Sequence, residues 1–506
     1  MRMRILAAAG ALVLAAGCGS TVEQTTTLHG TAPGAAAPSS GAGLTGPGSS
    51  ALAPGGAGSG PGAIGGAAGT SAATGAGGGA GMSGGSASYG GAAASGASGR
   101  NGPGVTATTI NVGVTYCTSC AAADQAVGAA GAAPSYDYRN VFDAVANYAN
   151  AHGGFAGRKL VPVYYNQNVA QPAQQTSEAE CASWTQDHKV FALFASQNTD
   201  DIVRTCAEKA GAISVGAESA EIGPTFTKYP HYLDLGGVGL DQLAGITVRG
   251  LVRAHYFTGK FGLVTWDDPA YRYAVSHGYY PALQAAGVKV LQTAYVTVPA
   301  DANSLADSNA SVSSAVTKFR ALGIDHVIVQ DGAAGVFGGA GLTLEWMNQA
   351  KSQHYYPRYG QNFENVPGWS IYPSDEMNNA IAVDQNDLDR SRDANWHINS
   401  TREHCYQIEA AAGYPVKQDN INDELAAASA CDLVFMFQRL MKPMSLITAD
   451  AFMAGVNGLG TSYPSSEVYG TKFAPSLHGG GGMVRTEEYF ASCQCLHYLT
   501  APYYAD

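Results

Sequence analysis

The sequence predicts an α/β protein made of two doubly wound parallel-sheet lobes, and three observations predict it. Between 178 and 219 the chain alternates regularly: EAECASWTQDHK, VFALFAS, QNT, DDIVRTCAEKAGA, ISVGA, ESAE. Short apolar runs alternating with helical patterns are the mark of βα units on a parallel sheet. The same alternation starts again from about 236, which gives a second lobe. The strands also end in small polar residues, Ser196-Gln197-Asn198-Thr199 and Ala217-Glu218-Ser219. Ligands of open α/β sheets bind beyond the carboxyl ends of the strands, where helix N-termini offer free N–H donors.

In chain order, Arg2 and Arg4, an apolar run from Ile5 to Ala16 and Gly17-Cys18 read as a secretory signal peptide over 1–17. A Cys directly after small residues resembles a bacterial lipobox, so Cys18 is expected to be acylated and to anchor the chain to the cell membrane. Residues 18–103 are almost wholly Gly, Ala, Ser, Thr and Pro, a composition that buries no core and serves as a tether. Gly81-Met82-Ser83-Gly84-Gly85 within it matches a nucleophile elbow in letters only, because no strand precedes it and no helix follows.

The remaining ~400 residues suffice for two lobes. Net charge is −12, with 27 Lys and Arg against 39 Asp and Glu. That balance speaks against nucleic acid and against an anionic membrane surface as partners. Of nine cysteines, all but Cys18 are expected in disulfides of an exported protein. Local spacing suggests Cys117–Cys120, Cys181–Cys206 and Cys405–Cys431, which leaves Cys493 and Cys495 in the tail. A redox or metal role for Cys117-Thr-Ser-Cys120 is the less favoured reading, since no second C-x-x-C follows. Asp384, Asp387, Asp389 and Asp393 lack the alternation and the Gly of a calcium loop. No cofactor or metal is called for.

The globular part opens with the strand in GVTATTINVGV, a helix over 138–151, a turn at His152-Gly153-Gly154-Phe155 and a strand over 159–165. His-Gly-Gly is also an esterase oxyanion-hole signature. Here it ends a helix, so its glycines read as a C-cap and turn. In the second half, a helix (240–257), a strand (261–266) and a helix to about 286 are followed by a strand over 288–296. A helix (311–322), a strand (326–329), a helix (342–351) and a short strand reaching 359–362 complete it.

GVTATTINVGV, YANAHGGFAGRKLVPVYYN and HYLDLGGVGLDQLAGITVRGLV together resemble type I periplasmic binding proteins. Within these the chain is most similar to the branched-chain amino acid (Leu/Ile/Val) substrate-binding proteins of ABC importers. The resemblance implies two lobes joined by a three-crossing hinge, with crossings near 236, 366 and 470. Lobe 1 would hold 104–235 and return over 366–470, including a helix over 423–441. Lobe 2 would hold 236–365, and 471–506 would be its closing segment and tail. It also implies capture of a small amino-acid-like or amide-like solute for a membrane ABC permease, without catalysis. An extracellular sensor of the same fold, or a secreted hydrolase, is the alternative.

A carboxylate or amide oxygen of such a solute is suited to Ser196, Asn198, Thr199 and Ser219, with ring faces of Tyr116, Trp266 and Tyr271 over its apolar or cationic parts. The resemblance carries Ser196 and the 217–219 segment, with Ala217, onto the family's carboxylate-binding loops, and Tyr271 onto an aromatic of the second lobe. The family's acid that grips an α-ammonium falls at Gly360-Gln361-Asn362, where no carboxylate stands. Either Asp331, Asp267 or Glu364 replaces it, or the solute has no ammonium group.

Overall fold

Two parallel sheets with the same internal strand order organise the described part of the chain. The computed structural model describes residues 100–120, 136–168, 171, 173–194, 200–216, 221–299, 304–332, 341–362, 371–386, 393–418, 420–475 and 477–504. All of these belong to the second of the chain's two units, Ala92–Asp506. The signal segment, Cys18 and the tether lie outside the described residues.

The first sheet contains β1 (Thr109–Tyr116), β2 (Lys159–Asn166), β3 (Ala192–Phe194), β4 (Ile213–Gly216) and β5 (Tyr232–Asp234), all parallel, in the order β2-β1-β3-β4-β5. The helices between them are α1 (Tyr138–Ala151), α2 (Ala173–Ala182, continued by a π-turn), α3 (Asp201–Ala210) and the short α4 (Gly223–Lys228). Asp137 caps α1 through the Arg139 N–H, and α1 ends at His152 before Gly153 (φ 103°) and Gly154 (φ 61°). Left-handed backbone is what glycine permits at a helix end. The His-Gly-Gly turn is therefore a cap.

In the second lobe come α5 (Leu240–Arg253), β6 (Phe261–Trp266), α6 (Pro269–Ala274), α7 (Tyr280–Ala285) and β7 (Val290–Val296). They are followed by α8 (Leu305–Leu322), β8 (His326–Gln330), α9 (Gly341–Ser352), β9 (Arg358–Asn362), α10 (Ser374–Met377) and β10 (Ile381–Asp384). Its sheet runs β12-β11-β10-β9-β8-β6-β7. Every residue of β6 and of β8 is buried, as strands covered on both faces must be. Within this sheet β7-β6-β8-β9-β10 repeats the order of the first sheet.

The chain then adds α11 (Ser400–Ala411), α12 (Ile421–Met441) and α13 (Ala449–Asn457). Residues of all three pack into the core of the first sheet, beside Val112, Phe142, Phe191 and Leu233. It finishes with β11 (Met483–Phe490), β12 (Cys495–Tyr498) and β13 (Tyr503–Tyr504), antiparallel strands at the β10 edge of the second sheet.

One boundary is corrected. A return to the first lobe near 366 would leave β10 in the first sheet, but β10 pairs in parallel with β9, Ile381 beside Gly360. The run Ile381-Ala382-Val383 fills the next βα position of the second sheet, and the chain leaves that sheet only after Asp384.

The segments that pass between the sheets lie side by side. Asp234 pairs with Gly479, and Asn386 with Val468. The Gly480 and Gly481 N–H groups donate to Asp234 O (2.8 Å) and Gly237 O (3.0 Å), and Tyr469 N–H to Gln385 O (2.9 Å). The Gln385 side-chain amide donates to Gly236 O. A Cβ at Gly236 would run into the Glu467 carboxylate, and one at Gly480 into Leu235 O. Close backbone approach accounts for glycine at 480, while at 236 the buried Glu467 carboxylate fills the space a side chain would need.

All four local cysteine pairs are disulfides: Cys117–Cys120, Cys181–Cys206, Cys405–Cys431 and Cys493–Cys495. Among the described residues no helix is long and apolar enough to cross a membrane.

Candidate functional site

In a sheet of order 2-1-3-4-5 the strand order reverses between strands 1 and 3, and the crevice beyond their carboxyl ends is where ligands sit. Here those points are the ends of β1 and β3 in the first sheet, and of β6 and β8 in the second.

At the first point, Ser196, Asn198 and Thr199 follow β3, and Ala217 and Ser219 follow β4. All five lie outside the described residues. Around them, Tyr116 ends β1 half-buried, with the Arg139 guanidinium 4.1 Å from its ring centroid and the Tyr164 ring edge-on at 6.1 Å. Next to it the Thr115 hydroxyl donates to Glu180 of α2. Glu180 is fully buried, and burial pushes its carboxyl up to about 7 against the help of Thr115. Asp200 caps α3, accepting from Ile202 N–H (3.0 Å), Val203 N–H (2.9 Å) and the Ser177 hydroxyl (2.6 Å). Thr115, Glu180 and Asp200 escaped the sequence analysis. Their only signal there is their place at strand and helix ends.

At the second point, Trp266 is fully buried and its indole N–H faces Gly332 O at 3.4 Å; Tyr271 is buried beside it. Both belong to the hydrophobic core of the second lobe. Ring faces over a solute were expected of both, and both rings are packed in this core. Asp267 stays half exposed and is paired with Arg272 at 2.6 Å. Asp331 is fully buried at the head of α9, accepting from the N–H groups of Gly332 (2.9 Å), Leu342 (3.2 Å) and Thr343 (2.7 Å). Burial raises its carboxyl to about 7, although these donors pull the other way.

Gln361 and Asn362 end β9 and are buried. Asn362 donates to Gln330 Oε1 (3.2 Å) and towards the Tyr279 hydroxyl (3.4 Å), and Tyr279 donates to the same Gln330 oxygen. Gln361 Nε2 lies 3.4 Å from the Met377 sulfur, while its Oε1 is buried without a hydrogen-bond partner. The second sheet thus brings Gln330, Asn362 and Tyr279 into one amide–phenol chain that a sequence cannot show. Glu364 lies outside the described residues, as do Asp387 and Asp389. Asp384 and Asp393 are bound to backbone N–H groups.

The chemistry of these edges is one of dipoles, with the buried acids tending to the neutral form. Two surface grooves, of about 430 Å³ beside β7 (Tyr280, Leu283, Leu291) and about 360 Å³ beside α13 (Phe226, His231, Met453), lie away from both strand-end sites. Among the described residues, only Cys493, Cys495 and His497, and Cys405, Glu409 and Cys431, cluster at metal-ligand spacing.

No protein-family model matches the chain. No curated protein sequence matches it either. Solved structures do. A substrate-binding protein of an ABC transporter from Desulfitobacterium hafniense, in complex with leucine, superimposes with TM-score 0.53 at 15% identity, over 77% of this chain and 100% of that one. A solute-binding protein of an ABC transporter from Rhodopseudomonas palustris, in complex with p-hydroxybenzoic acid, gives 0.57 at 17% identity, over 79% and 98%. A branched-chain amino acid ABC transporter protein from Thermus thermophilus with bound valine gives 0.54 at 14%, over 78% and 97%. Two sheets of one strand order, joined by adjacent crossing segments and matched over the whole of such proteins, lead to one conclusion: the chain has the fold of the type I periplasmic binding proteins.

Proposed function

We propose that the protein is an extracytoplasmic solute-binding protein, held at the membrane by a lipid on Cys18, that captures a small carboxylate or amide between its lobes and delivers it to an ABC permease. The observation that carries this reading is the repeated strand order, which creates two switch-point edges on lobes joined by adjacent crossing segments. The solved proteins of this fold include binders of leucine, valine and p-hydroxybenzoic acid. Capture needs no bond-making group, and we read the protein as a binder rather than an enzyme.

Of the two solute classes left open by the sequence, the structure favours one without an ammonium group. The two described acids that were candidates to grip an ammonium are engaged: Asp331 with the Gly332 N–H and two N–H groups of α9, and Asp267 with Arg272. Burial further disfavours the charged form of Asp331. In this reading Ser196, Asn198, Thr199, Ala217 and Ser219 hold the solute's oxygen atoms, and Tyr116, Gln361 and Asn362 line its other side.

A thermal-shift screen of the intact chain tests both statements, because a ligand bound only by the folded state raises the unfolding midpoint. Leucine, valine, 4-hydroxybenzoate and simple aliphatic acids and amides form the panel. Stabilisation by an ammonium-free acid or amide and none by leucine or valine is expected. Stabilisation by the amino acids alone would contradict the preference. Turnover of model esters would contradict the assignment as a binder.

A further inference from the structure

The C-terminal hairpin holds a cluster that solute capture does not use. Cys495 and His497 are two residues apart on β12, so a strand projects both side chains from the same face. Gln494, in left-handed conformation (φ 51°), turns the chain so that Cys493 comes back beside them. His497 Nε2 lies 3.2 Å from Cys495 Sγ and 3.7 Å from Cys493 Sγ. The spacing C-x-C-x-H at 493–497 is the signal in the sequence that points to this histidine.

A second group faces the histidine from another part of the chain. Asp393 Oδ2 lies 3.3 Å from His497 Nδ1 and also accepts the Tyr498 N–H at 2.8 Å. Asp393 also accepts the Asn395 N–H at 2.7 Å. A carboxylate on Nδ1 selects the tautomer with its lone pair on Nε2, the nitrogen that points at the sulfurs; metal-binding histidines are oriented in this way. The Phe490 ring meets the imidazole edge-on at 5.3 Å.

We propose that Cys493, Cys495 and His497 form a redox-gated site for a thiophilic d¹⁰ cation such as zinc(II), with Asp393 positioning the imidazole. Zinc–sulfur bonds of ~2.3 Å and zinc–nitrogen bonds of ~2.0–2.1 Å at tetrahedral angles put N and S about 3.6 Å apart. The observed 3.2 and 3.7 Å bracket that value. In the disulfide the two sulfurs are bonded to each other and the site is closed. A dithiol opens it: two electrons and two protons pass to the protein, the Cys493–Cys495 bond breaks to two thiols, and the dithiol's own sulfurs join. Each thiol releases its proton as its sulfur binds the cation, and His497 gives the Nε2 lone pair. Cys493 is solvent-exposed, so the cation can enter and its fourth position faces water.

The test is cobalt(II) binding to the full-length protein, followed by thiolate-to-cobalt absorption, before and after reduction with dithiothreitol and its anaerobic removal. Alkylation mapping scores which thiols are free. Reduced protein is expected to bind one cobalt that zinc displaces, and oxidised protein none. The Cys117→Ser/Cys120→Ser variant is expected to keep the signal. Cys493→Ser and His497→Ala, both at the surface hairpin, should weaken cobalt binding about ten- to a hundredfold or more, and Asp393→Asn about tenfold. His497→Gln guards against a folding defect, and unchanged circular dichroism of the variants confirms the fold. The proposal is overturned if Cys493→Ser or His497→Ala binds like wild type. It is also overturned if free thiols at both positions give no cobalt absorption, or if those thiols appear only when the protein unfolds.

Discussion

Among the described residues, Glu409 of α11 has no hydrogen-bond donor that would hold its charge. It is fully buried, Oε2 has no hydrogen-bond partner, and the Cys405 sulfur 3.3 Å from Oε1 belongs to a disulfide and carries no proton. Burial pushes its carboxyl up to about 8. The unfolded chain titrates near the ordinary value, so between about pH 4.5 and 8 the folded state binds the additional proton. Stability therefore falls as pH rises through that window and levels off above it. Glu180, Asp331 and Glu376, each raised to about 7 by burial, act in the same direction. Wild type is expected to melt higher at pH 5 than at pH 8.5. The stability of Glu409→Gln relative to wild type should be on the order of 3–4 kcal/mol greater at pH 8.5 than at pH 5. Melting curves of both proteins across this range check it, and parallel curves would contradict it. Single residues were the least legible part of the sequence. The sequence pattern gave Trp266 its place at a strand end and Tyr271 its place in the helix that follows, but not the direction of either ring, which is decided by apolar neighbours far along the chain. Asp331 was legible as an acid at a strand end. That it caps α9 depends on where the helix begins.

Elements were more legible wherever local periodicity settles them. The boundaries of α1 and β6 agree with the sequence pattern, and those of β8 and β9 nearly so, because amphipathic helices and fully buried strands print their periods locally. The strand β10 was not legible as a member of the second sheet, and β11 and β12 were expected in the second lobe only through the family resemblance. Their assignment rests on pairing between segments about a hundred residues apart, Ile381 beside Glu488 for example. Two elements carry predictions. The Cys181–Cys206 bridge joins α2 to α3 across 25 residues. Replacing both with Ala should cost about 3 kcal/mol by the loop-entropy argument, and urea unfolding measures it. Arg402 of α11, fully buried, donates from Nε to Ser466 O (2.7 Å) and from Nη2 to Glu467 O (3.0 Å), holding the third crossing segment. Arg402→Leu leaves two carbonyls without these charge-assisted bonds and should cost roughly 3 kcal/mol. Limited proteolysis should then cut first between 462 and 471. An unchanged cleavage pattern would contradict that role.

At the scale of the molecule, the two sheets are separate, the first parallel and the second parallel with an antiparallel edge, and the adjacent segments about Gly236, Gln385 and Gly480 carry the chain from one to the other. Repeated domains joined by a few extended segments move by hinge bending, and a solute that touches both lobes favours the closed form. The central claim is that solute binding closes these lobes. Small-angle X-ray scattering of the protein with and without the solute that stabilises it in the thermal-shift screen tests this most directly. The radius of gyration is predicted to fall and the change to saturate at one solute per chain. Superimposable curves in the presence of a saturating, stabilising solute would contradict the account.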